Sequence, residues 1–459
     1  MMRAMSLASV TPLIQGTLKG TDLFFSRVSI DTRTLEPGDL YIALAGERFD
    51  GHDFIPDAVR AGACAVIAEH PWDLEVPLIQ VEDSRRALGL LAAVNREAFE
   101  GRVVAVTGSS GKTTTRSMLA TVFAGAGPVV ASQGNLNNEI AAPLTLFRLS
   151  PGADFAIIEL GASGLGEIAW TGSLTAPDVG IITNASEAHL SGFGSLENIV
   201  VAKGEMIDAV VPGGTVVLNQ DDPAFERWRE RAGNRRVLSI SAEGDRSAVF
   251  HAHDIQEGAD GVAFRMESGV WDPVQVRIPL PGRHNVSNAL LTAAAAYAQG
   301  LGPETVVAGL AQMTSVAGRL EPIALRPDVT VLNDSYNANP ASMSSALQTL
   351  SRMPGRRVAM LGDMAELGDE AEDRHEAIGA RARELGIDLL MATGNYARAY
   401  GRGFGQPTMT ADSPKMLADE LWGLLDGATS ILVKGSRSAG MDRAVAHLRK
   451  RNDNECFSG

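Results

Sequence analysis

The strongest chemical signal in the sequence is a glycine-rich turn at 107–114, which reads TGSSGKTT. It follows an apolar run at 103–106 and opens a predicted helix, so its backbone N–H groups and the helix N-terminus would cradle phosphate. The lysine can reach terminal phosphates, and the threonine hydroxyl after it is placed to bind Mg²⁺. The turn predicts a nucleotide site formed by Gly108, Ser109, Ser110, Gly111, Lys112, Thr113 and Thr114.

The turn differs in spacing from the common nucleotide-binding loop, which has four residues between its two glycines. Val106 stands where the first glycine would be, which leaves the shorter pattern G-x-x-G-K-T. A Gly-Ser turn that merely caps a helix would explain the glycines alone, but the succession of strand, GKT and helix favours phosphate binding. The loop does not specify which reaction the nucleotide drives.

The elements around this turn predict an α/β protein, and 459 residues allow three domains at roughly 150 residues each. We predict a small N-terminal α/β domain at 1–85 and a central P-loop-type domain at 86–313, whose mostly parallel sheet has helices on both faces. A Rossmann-like C-terminal α/β domain is predicted at 314–459. The joints near 85–101 and 314–322 are candidate hinges.

Apolar runs that alternate with predicted helices support this organisation, because strands of a parallel sheet are buried on both faces. Short strands are predicted in the N-terminal block, and alternating stretches at 247–280 indicate a small antiparallel annex. The predicted strands are 40–44, 65–68, 103–106, 155–160, 179–182, 216–218, 329–332, 357–361, 389–392 and 431–433.

Composition excludes several classes of protein. The apolar fraction of 45% and the charged fraction of 21% are ordinary for a soluble globular protein. A net charge of -15 argues against nucleic acid as a partner, because binding of the phosphate backbone depends on Lys and Arg. Cys64 and Cys456 show neither CxxC spacing nor a nearby histidine cluster, which argues against a disulfide framework or a structural zinc site and favours a reducing cytosol. With no signal-peptide pattern and no long apolar stretch, we expect a cytoplasmic protein without a membrane partner.

Five further segments, in order along the chain, make the sequence resemble the Mur ligases and their folylpolyglutamate synthetase relatives. They are FAIIELG at 155–161, TNASEAHL at 183–190, AKGE at 202–205, HNVSNA at 284–289 and GRL at 318–320. The resemblance covers essentially the whole chain. It implies ATP as a substrate, Mg²⁺ as the metal and an ATP-dependent ligation of an acid to an amino acid or peptide.

The resemblance also implies roles for individual residues. Thr113 and Glu159 would hold the Mg²⁺ that bridges the β- and γ-phosphates, while His189 and a carbamylated Lys203 would hold or orient a second ion. The predicted catalytic residues are Lys112, Glu159, His189 and Lys203.

Further ATP contacts are implied on both sides of the joint at 314–322. Asn285 and Asn288 would contact adenine, Arg319 the phosphates, and Asp334 the nucleotide from the C-terminal side. Contacts from both Lys112 and Asp334 predict that the two domains close on ATP, as lids that exclude water do.

Segments in the outer domains resemble the D-alanyl-D-alanine-adding branch of the Mur ligases. They are NDSYNANP at 333–340, LGDMAELG at 361–368 and KGSR at 434–437, and the D-N-P-R motif expected of the diaminopimelate-adding branch is absent. Ala141, where glycine is common, is a small departure. This likeness implies UDP-N-acetylmuramoyl-tripeptide and D-alanyl-D-alanine as the substrates, and we expect a monomer.

The same likeness assigns polar residues to these substrates. DTR at 31–33 and FDGH at 49–52 resemble segments that contact the UDP end, and NLNNE at 135–139 resembles a muramoyl-peptide segment. The loop 363–366 or the turn 434–437 would hold the dipeptide carboxylate. The predicted substrate-binding residues are Asp31, Thr32, Arg33, Asp50, Gly51, His52, Asn135, Asn137, Asn138, Tyr336, Asn337, Asn339, Asp363, Glu366, Lys434, Ser436 and Arg437.

The implied reaction explains why these residue types would be needed. A carboxylate must become an acyl phosphate before an amine attacks it, so cations must be placed beforehand to offset the repulsion between two anions. An unmodified lysine would be a poor neighbour for Mg²⁺, whereas addition of CO₂ to a transiently neutral amine gives an oxygen-bearing anion. The incoming amine, which titrates near about 8 when free, must also be neutral. The sequence does not identify the group that takes its proton.

Each residue has an ordinary structural interpretation when it is taken alone. Glu159 could cap a helix or form an ion pair, His189 could be structural, and Lys203 could lie on a solvated helix face. The asparagines at 285 and 288 could cap a helix, and Arg319 could form an interface ion pair. The turns at the other motifs could be plain surface turns. Their joint occurrence in one order favours the ligase.

Three other functions compete with this interpretation. The first is a sibling ligase that adds a single amino acid, or a folylpolyglutamate synthetase. The second is a regulatory protein that binds nucleotide without hydrolysing it. The retained residues argue against it; they are Lys112, Thr113, Glu159, His189 and Lys203. The third is a phosphotransferase, which would release a phosphorylated product and no free phosphate. Product analysis distinguishes them.

Overall fold

The computed structural model describes residues 2–46, 49–134, 136–187, 190–425 and 427–456. Two predicted site residues, Asn135 and His189, lie outside these ranges. Among the described residues, no helix has both the length and the apolar character needed to cross a bilayer.

The N-terminal part is built on a five-stranded sheet of order β2-β7-β6-β5-β4, in which only β2 runs antiparallel to its neighbour. A separate antiparallel pair, β1 and β3, lies beside it. The elements are β1 (Met5–Ser6), α1 (Leu7–Val10), β2 (Thr17–Lys19), β3 (Phe24–Phe25), β4 (Val28–Ser29), β5 (Leu40–Ile42), α2 (Ile55–Arg60), β6 (Ala65–Ala68), β7 (Leu78–Gln80) and α3 (Ser84–Glu97).

The central part is built on a nine-stranded sheet of order β16-β15-β14-β13-β12-β11-β8-β10-β9. Strands from β9 to β14 in this order are parallel, and β15 and β16 are antiparallel additions. The strands are β8 (Arg102–Thr107), β9 (Val129–Ala131), β10 (Phe155–Glu159), β11 (Val179–Ile182), β12 (Thr215–Asn219), β13 (Arg236–Ser241), β14 (Phe250–Gly258), β15 (Gly261–Ser268) and β16 (Val274–Ile278). The helices are α4 (Lys112–Ala124), α5 (Ala141–Leu146), α6 (Glu167–Thr175), α7 (Leu190–Phe193), α8 (Leu196–Ala209), α9 (Phe225–Ala232), α10 (His284–Ala298) and α11 (Pro303–Ala311).

The C-terminal part is built on a six-stranded sheet of order β17-β18-β22-β19-β20-β21, parallel except for β17. Its strands are β17 (Glu321–Arg326), β18 (Val329–Asp334), β19 (Arg356–Leu361), β20 (Leu389–Ala392), β21 (Met409–Thr410) and β22 (Thr429–Lys434). Its helices are α12 (Pro340–Ser351), α13 (Ala371–Glu384), α14 (Ala397–Phe404), α15 (Pro414–Trp422) and α16 (Asp442–Cys456).

Burial on both faces explains the apolar runs of the central sheet. Val104 and Val106 of β8 pack with α4 and α10 in one core, whereas Val103 and Ala105 pack with α5, α6 and α8 in another. All four side chains are fully buried. The hydrophobic effect over two faces therefore fixes β8 in the middle of the sheet, and the phosphate turn emerges at its carboxyl end.

The predicted fold class is confirmed: three α/β units, a mostly parallel central sheet with helices on both faces, and a Rossmann-like C-terminal sheet. The predicted antiparallel stretch at 247–280 is confirmed, since β14, β15 and β16 pair antiparallel, and it extends the central sheet because β14 pairs with β13 in parallel. The connection at 312–320 is irregular, as expected of a joint. The domain boundaries themselves remain predictions.

The prediction of a joint near 85–101 is wrong, because α3 occupies most of that range. Asn95 donates from Nδ2 to the carbonyls of Leu146 at 2.8 Å and Leu149 at 3.1 Å. Arg96 donates to the carbonyls of Thr175 and Ala176 at 2.8 and 2.9 Å. These bonds tie α3 to the carboxyl ends of α5 and α6, so this segment is not a flexible linker.

Candidate active site

The phosphate turn has a backbone that only glycine fits at two positions. Gly108 and Gly111 have φ angles of 141° and 81°, in the left-handed region. A Cβ on Gly108 would lie 1.9 Å from Thr183 Oγ1, and one on Gly111 would lie 2.7 Å from Asn288 Oδ1. The close approach of neighbouring segments, as well as backbone strain, thus requires both glycines.

The segment after β11 holds the turn in place. Ser109 N donates to the Asn184 carbonyl and Ser110 N to Asn184 Oδ1, both at 3.0 Å. Thr183 donates from Oγ1 to the Ser110 carbonyl at 2.6 Å. The sequence analysis names the motif at 183–190, but it does not predict that Thr183 and Asn184 position the turn, because this role depends on β8 and β11 being neighbours.

Lys112 lies over the turn and donates from Nζ to the Gly108 carbonyl at 2.6 Å and to the Ser109 carbonyl at 3.3 Å. Burial lowers its pKa to about 8, Glu159 opposes this shift, and Arg319 adds to it. A cation is therefore held at the mouth of the turn where terminal phosphates would lie.

Glu159, at the end of β10, is the buried carboxylate of the site, with 1% of its surface exposed. Its Oε1 accepts from Thr113 Oγ1 at 3.1 Å and from Asn137 Nδ2 at 2.9 Å. Its Oε2 has no hydrogen-bond partner among the described residues, and Arg116 Nε is 3.6 Å away. A buried carboxylate oxygen without a donor fits a hard cation such as Mg²⁺ better than it fits a helix cap or a close ion pair.

Two residues around this carboxylate were missed in the sequence. Arg116 faces Glu159 from the second turn of α4, and Ser132 Oγ accepts from Glu159 N at 3.0 Å. The position of Arg116, four residues after Lys112 on the same helix face, was an available signal. Ser132 carried none, because its contact depends on β9 lying beside β10.

Lys203, on α8, is buried with 2% of its surface exposed, so the alternative of a solvated helix face is wrong. Its Nζ lies 5.0 Å from the centre of the Phe193 ring and donates a long hydrogen bond of 3.5 Å to the Ala162 carbonyl. Burial lowers its pKa to about 7, Lys112 adds to this, and Glu167 and Glu205 oppose it.

Asn285 and Asn288 lie in the first turns of α10 and do not cap it, since the N-cap is Arg283. Asn285 Nδ2 donates to the Pro281 carbonyl at 2.9 Å, and Asn288 Nδ2 donates to Asn285 Oδ1 at 3.0 Å. Both line a cavity of about 420 Å³ that also reaches Arg319, Asp334 and the phosphate turn. We call it the base cavity.

A second cavity, of about 560 Å³, lies between the phosphate turn and the C-terminal part. We call it the reaction cavity. It is lined from the central part by Lys112, Thr113, Thr114, Asn137 and Glu159. From the C-terminal part it is lined by Arg319, Tyr336, Asn337, Asn339, Glu366, Ser436 and Arg437. The two cavities share the turn, Arg319 and 337–339, so they form one cleft.

Two arginines lie near the face of the Tyr336 ring. The guanidinium carbons of Arg319 and Arg437 lie 4.0 and 6.0 Å from the ring centre. Cation–π contacts of this kind hold planar cations in place while their N–H groups remain free to bind anions. Both arginines line the reaction cavity.

Asp334 and Lys434 stand opposite each other at the carboxyl ends of β18 and β22. Lys434 Nζ donates to Asp334 Oδ2 at 2.6 Å and to the Asn337 carbonyl at 2.9 Å. Leu320 N donates to Asp334 Oδ1 at 3.1 Å. Burial lowers the pKa of Lys434, which is 2% exposed. The structure therefore places Lys434 beneath the turn 334–340, which it supports.

The loop 362–367 is fixed by hydrogen bonds to neighbouring segments of the C-terminal part. Asp363 accepts from Asn395 N at 2.8 Å and from Tyr396 N at 3.1 Å, and Met364 N donates to His375 Nε2 at 2.9 Å. Ser436 N donates to the Asp363 carbonyl at 2.9 Å. The Asp363 carboxylate thus joins two loops, and Ala365, Glu366 and Leu367 are the residues of this motif that line the reaction cavity.

The predicted UDP-end residues lie away from both cavities. Arg33 pairs with Asp31 at 2.6 Å, and this hydrogen bond lowers the Asp31 pKa, while Thr32 between them is half-buried. His52 contacts Asp50 at 2.6 Å and accepts from Glu69 N at 3.1 Å. A Cβ on Gly51 would lie 2.6 Å from Leu44 N.

The muramoyl-peptide segment is divided between two roles. Asn138 Oδ1 accepts from Ala141 N at 2.9 Å at the start of α5, whereas Asn137 reaches Glu159 and the reaction cavity. The segment therefore connects the N-terminal side of the molecule, through the Arg85–Glu139 ion pair of 2.8 Å, to the reaction cavity.

Comparison with known proteins assigns the class. Models of the Mur ligase catalytic domain, the Mur ligase middle domain and the Mur ligase glutamate ligase domain match residues 25–96, 106–296 and 318–452. The chain is also 42% identical over 455 residues to the UDP-N-acetylmuramoyl-tripeptide--D-alanyl-D-alanine ligase of Escherichia coli (strain K12), which covers 98% of this chain and 99% of that protein. The chain belongs to the Mur ligase family.

Solved structures agree with this assignment. The fold is similar to a crystal structure of MurF from Acinetobacter baumannii, with a TM-score of 0.93, 33% identity and coverage of 98% of this chain and 99% of that one. It is similar also to the MurF ligase from Thermotoga maritima in complex with ADP, with a TM-score of 0.85, 28% identity and coverage of 94% and 98%.

Proposed function

We propose that this chain is the ATP-dependent ligase that joins D-alanyl-D-alanine to UDP-N-acetylmuramoyl-tripeptide. The products would be the UDP-muramoyl-pentapeptide of peptidoglycan synthesis, ADP and phosphate. One observation carries the proposal: a single cleft brings the phosphate turn and buried Glu159 to face the C-terminal residues Tyr336, Asn339 and Arg437. Full-length relatives named for this reaction, and the ADP bound to one of them, support it.

Activation of the tripeptide carboxylate would take place at the phosphate turn. The backbone N–H groups at the start of α4 and Lys112 would bind the terminal phosphates and orient the γ-phosphate toward the carboxylate. Thr113, Glu159 and Asn137 offer oxygen atoms that would hold Mg²⁺, since Glu159 Oε2 lacks a donor. When bound there, Mg²⁺ would offset the negative charge of the phosphates.

Lys203 could help to bind a second metal ion only in a modified form. Its amine lies in an apolar pocket against Phe193, where burial favours the neutral form that reacts with CO₂. The resulting carbamate would present oxygen atoms in place of a positive charge. His189, which the family likeness pairs with it, lies outside the described residues, so its contribution rests on the motif alone.

The C-terminal wall of the reaction cavity would bind the dipeptide. Arg437, beside the Tyr336 ring, offers N–H donors to a carboxylate, and Asn337 and Asn339 offer amide groups for orientation. Arg319, on the same ring, would contact the nucleotide phosphates. Lys434 and Asp363 would not contact the dipeptide; they would stabilise the turns that form this wall through their hydrogen bonds to Asn337 and Asn395. The UDP end would lie toward the N-terminal part, where Asp31, Arg33 and His52 remain candidates.

We also infer that the enzyme acts as a monomer in the cytoplasm. Both walls of the cleft come from one chain, so a second copy is not needed to complete it. Light scattering on the purified protein tests the first inference, and a dimer that buries the cleft would contradict it.

The experiment that tests the proposed function leaves out one reactant at a time. With ATP, Mg²⁺, UDP-muramoyl-tripeptide and D-alanyl-D-alanine present, free phosphate should appear, and omission of the tripeptide or the dipeptide should abolish sustained release. A phosphorylated tripeptide without free phosphate would indicate a phosphotransferase. ATP binding without turnover under every combination would indicate a regulatory protein.

A further inference from the structure

Three side chains with metal-binding atoms meet on the antiparallel edge of the central sheet, away from the reaction cavity. His251 and His253 lie on β14 and Glu267 lies on β15. Glu267 Oε2 is 3.6 Å from His251 Nε2 and 3.9 Å from His253 Nε2, and the three donor atoms lie within 4.8 Å of one another. We propose that these residues bind a divalent transition-metal ion, for which Zn²⁺ is the best fit.

The strand register explains why the three side chains meet. Alternate residues of a strand point to the same face, so His251 and His253 share one face while Phe250 and Ala252 point into the core. Glu267 is the antiparallel partner of His251 and therefore stands on that same face. The register shifts immediately after His253, which ends the regular ladder at the edge of the cluster.

The donor set and its spacing suit zinc. Tetrahedral zinc with bonds of about 2.0–2.1 Å places its donors about 3.3 Å apart, so small side-chain rotations would close the present distances. Two imidazoles and a carboxylate, with a fourth position open to water, form a donor set typical of Zn²⁺, whereas Mg²⁺ prefers oxygen alone. His253 Nε2 is buried and has no hydrogen-bond partner among the described residues. An ion would satisfy it.

Neighbouring groups orient two of the three donors. His251 donates from Nδ1 to the Ala248 carbonyl at 3.3 Å, which leaves Nε2 as the free lone pair. Arg265 Nε donates to Glu267 Oε1 at 3.1 Å, which leaves Oε2 facing the imidazoles. Hydrogen bonds of this kind fix ligand orientation in known metal sites. The side chains of His253 and Glu267 are 26% and 29% exposed, so an ion can reach the cluster from solvent.

The cluster lies beside the connection between β13 and β14, where a Cβ on Gly244 would lie 3.4 Å from His253 Cε1. Asp245 N donates to Ser241 Oγ at 3.0 Å, and Ser241 Oγ donates to Asp221 Oδ1 at 2.6 Å. Asp221 lines the base cavity. A metal ion that joins β14 to β15 would therefore act as a structural brace for this connection, with no part in the ligation chemistry.

The test measures Zn²⁺ binding to the full chain in excess Mg²⁺, which keeps the Glu159 site occupied by its own ion. The wild type should retain about one Zn²⁺ per chain through gel filtration, and Zn²⁺ should raise its melting temperature. His253→Gln and Glu267→Gln should each weaken binding more than about tenfold, since even outer partners of metal ligands cost that much. His447→Gln is the matched control, because it also replaces a histidine that contacts a carboxylate. His447 lies on α16, outside the cluster, and its Nε2 is 2.7 Å from Asp419 Oδ1.

Two results would overturn the proposal. One is a wild type that retains no Zn²⁺ under these conditions, which would make the cluster a set of ordinary histidine–carboxylate contacts. The other is a folded His253→Gln variant that retains as much Zn²⁺ as the wild type. If the variants do not fold, Co²⁺ added to the wild type decides, since a tetrahedral visible spectrum supports the site and an octahedral one contradicts it.

Discussion

Thr113 donates its hydroxyl hydrogen to Glu159 Oε1 at 3.1 Å, across the gap between the first turn of α4 and the end of β10. The second oxygen of Glu159 is buried without a donor among the described residues. The pair links the phosphate turn to the neighbouring strand, and the unpaired oxygen marks where a cation would lie. Lys112 and Arg116 flank it on the same helix, which concentrates positive charge around one carboxylate.

Glu159→Gln should separate catalysis from folding. Loss of the anionic oxygen should lower kcat by about a hundredfold to a thousandfold, the range for removing one preorganised electrostatic contact. The melting temperature without Mg²⁺ should not fall, because the neutral amide keeps an oxygen for the donors at Oε1 and removes the buried charge from Oε2, which has no donor among the described residues. Glu226→Gln, at an exposed ion pair on α9, is the control. Wild-type turnover in Glu159→Gln would remove this carboxylate from the mechanism.

Lys203→Ala should abolish turnover while leaving the fold intact. Short carboxylic acids should partly restore activity by placing oxygen atoms in the vacated pocket, and bicarbonate should not, because no amine remains to be carbamylated. Labelled bicarbonate should give a carbamate signal in the wild type that Lys203→Ala lacks. Full activity in Lys203→Ala would show that the modification plays no part in the reaction.

His375 should make the protein less stable in mild acid. The buried imidazole accepts from Met364 N and donates to the Ala371 carbonyl at 2.5 Å, and burial lowers its pKa below the usual value of about 6.5. The unfolded chain then binds more protons than the folded one, so stability is fully present above about pH 6.5 and is lost as pH falls through the folded pKa. Half-buried His284, whose pKa is also lowered by desolvation, adds in the same direction.

The matched variant is His375→Gln, which keeps a donor and an acceptor but cannot titrate. Its melting temperature should fall less than that of the wild type between about pH 7 and pH 5. If the melting temperatures of the two proteins depend equally on pH, protonation of His375 does not cause the loss of stability in acid.

The central and C-terminal parts should close further when substrates bind. Arg374 pairs with Glu187 at 2.7 Å, and Ser191 N donates to the Glu366 carbonyl at 3.2 Å, both across the cleft. X-ray scattering should show compaction on adding an ATP analogue and the tripeptide. A double-mutant cycle with Glu187→Gln and Arg374→Gln, read out as the free energy of unfolding, should give a coupling energy of about 0.2–1 kcal/mol, as for partly exposed ion pairs. No compaction, or strict additivity, would contradict closure through this contact.

The sequence predicted the central strands and the phosphate turn because their signals are local. Val103 to Val106 are apolar throughout, and the turn carries its own glycines and lysine. The sequence interpretation places a joint where α3 lies, although Asp83, whose side chain accepts from Arg86 N at 2.9 Å, is an N-cap that the sequence makes recognisable.

Other features depend on which strands are neighbours, which local patterns do not contain. Lys434 was expected to bind the dipeptide, yet β22 lies beside β18 and brings its amine to Asp334. The His251, His253 and Glu267 cluster requires the register of β14 with β15, and a one-residue slip would place Glu267 on the opposite face.

The most direct test of the proposed reaction follows both products at once. The protein is incubated with ATP, Mg²⁺ and UDP-muramoyl-tripeptide carrying a heavy oxygen isotope in its reacting carboxylate, with D-alanyl-D-alanine or with single amino acids. We predict a pentapeptide mass only with the dipeptide, transfer of the labelled oxygen to phosphate through the acyl phosphate, and neither product from a folded Lys112→Ala variant. A product formed with a single amino acid, or phosphate without the label, would contradict the account.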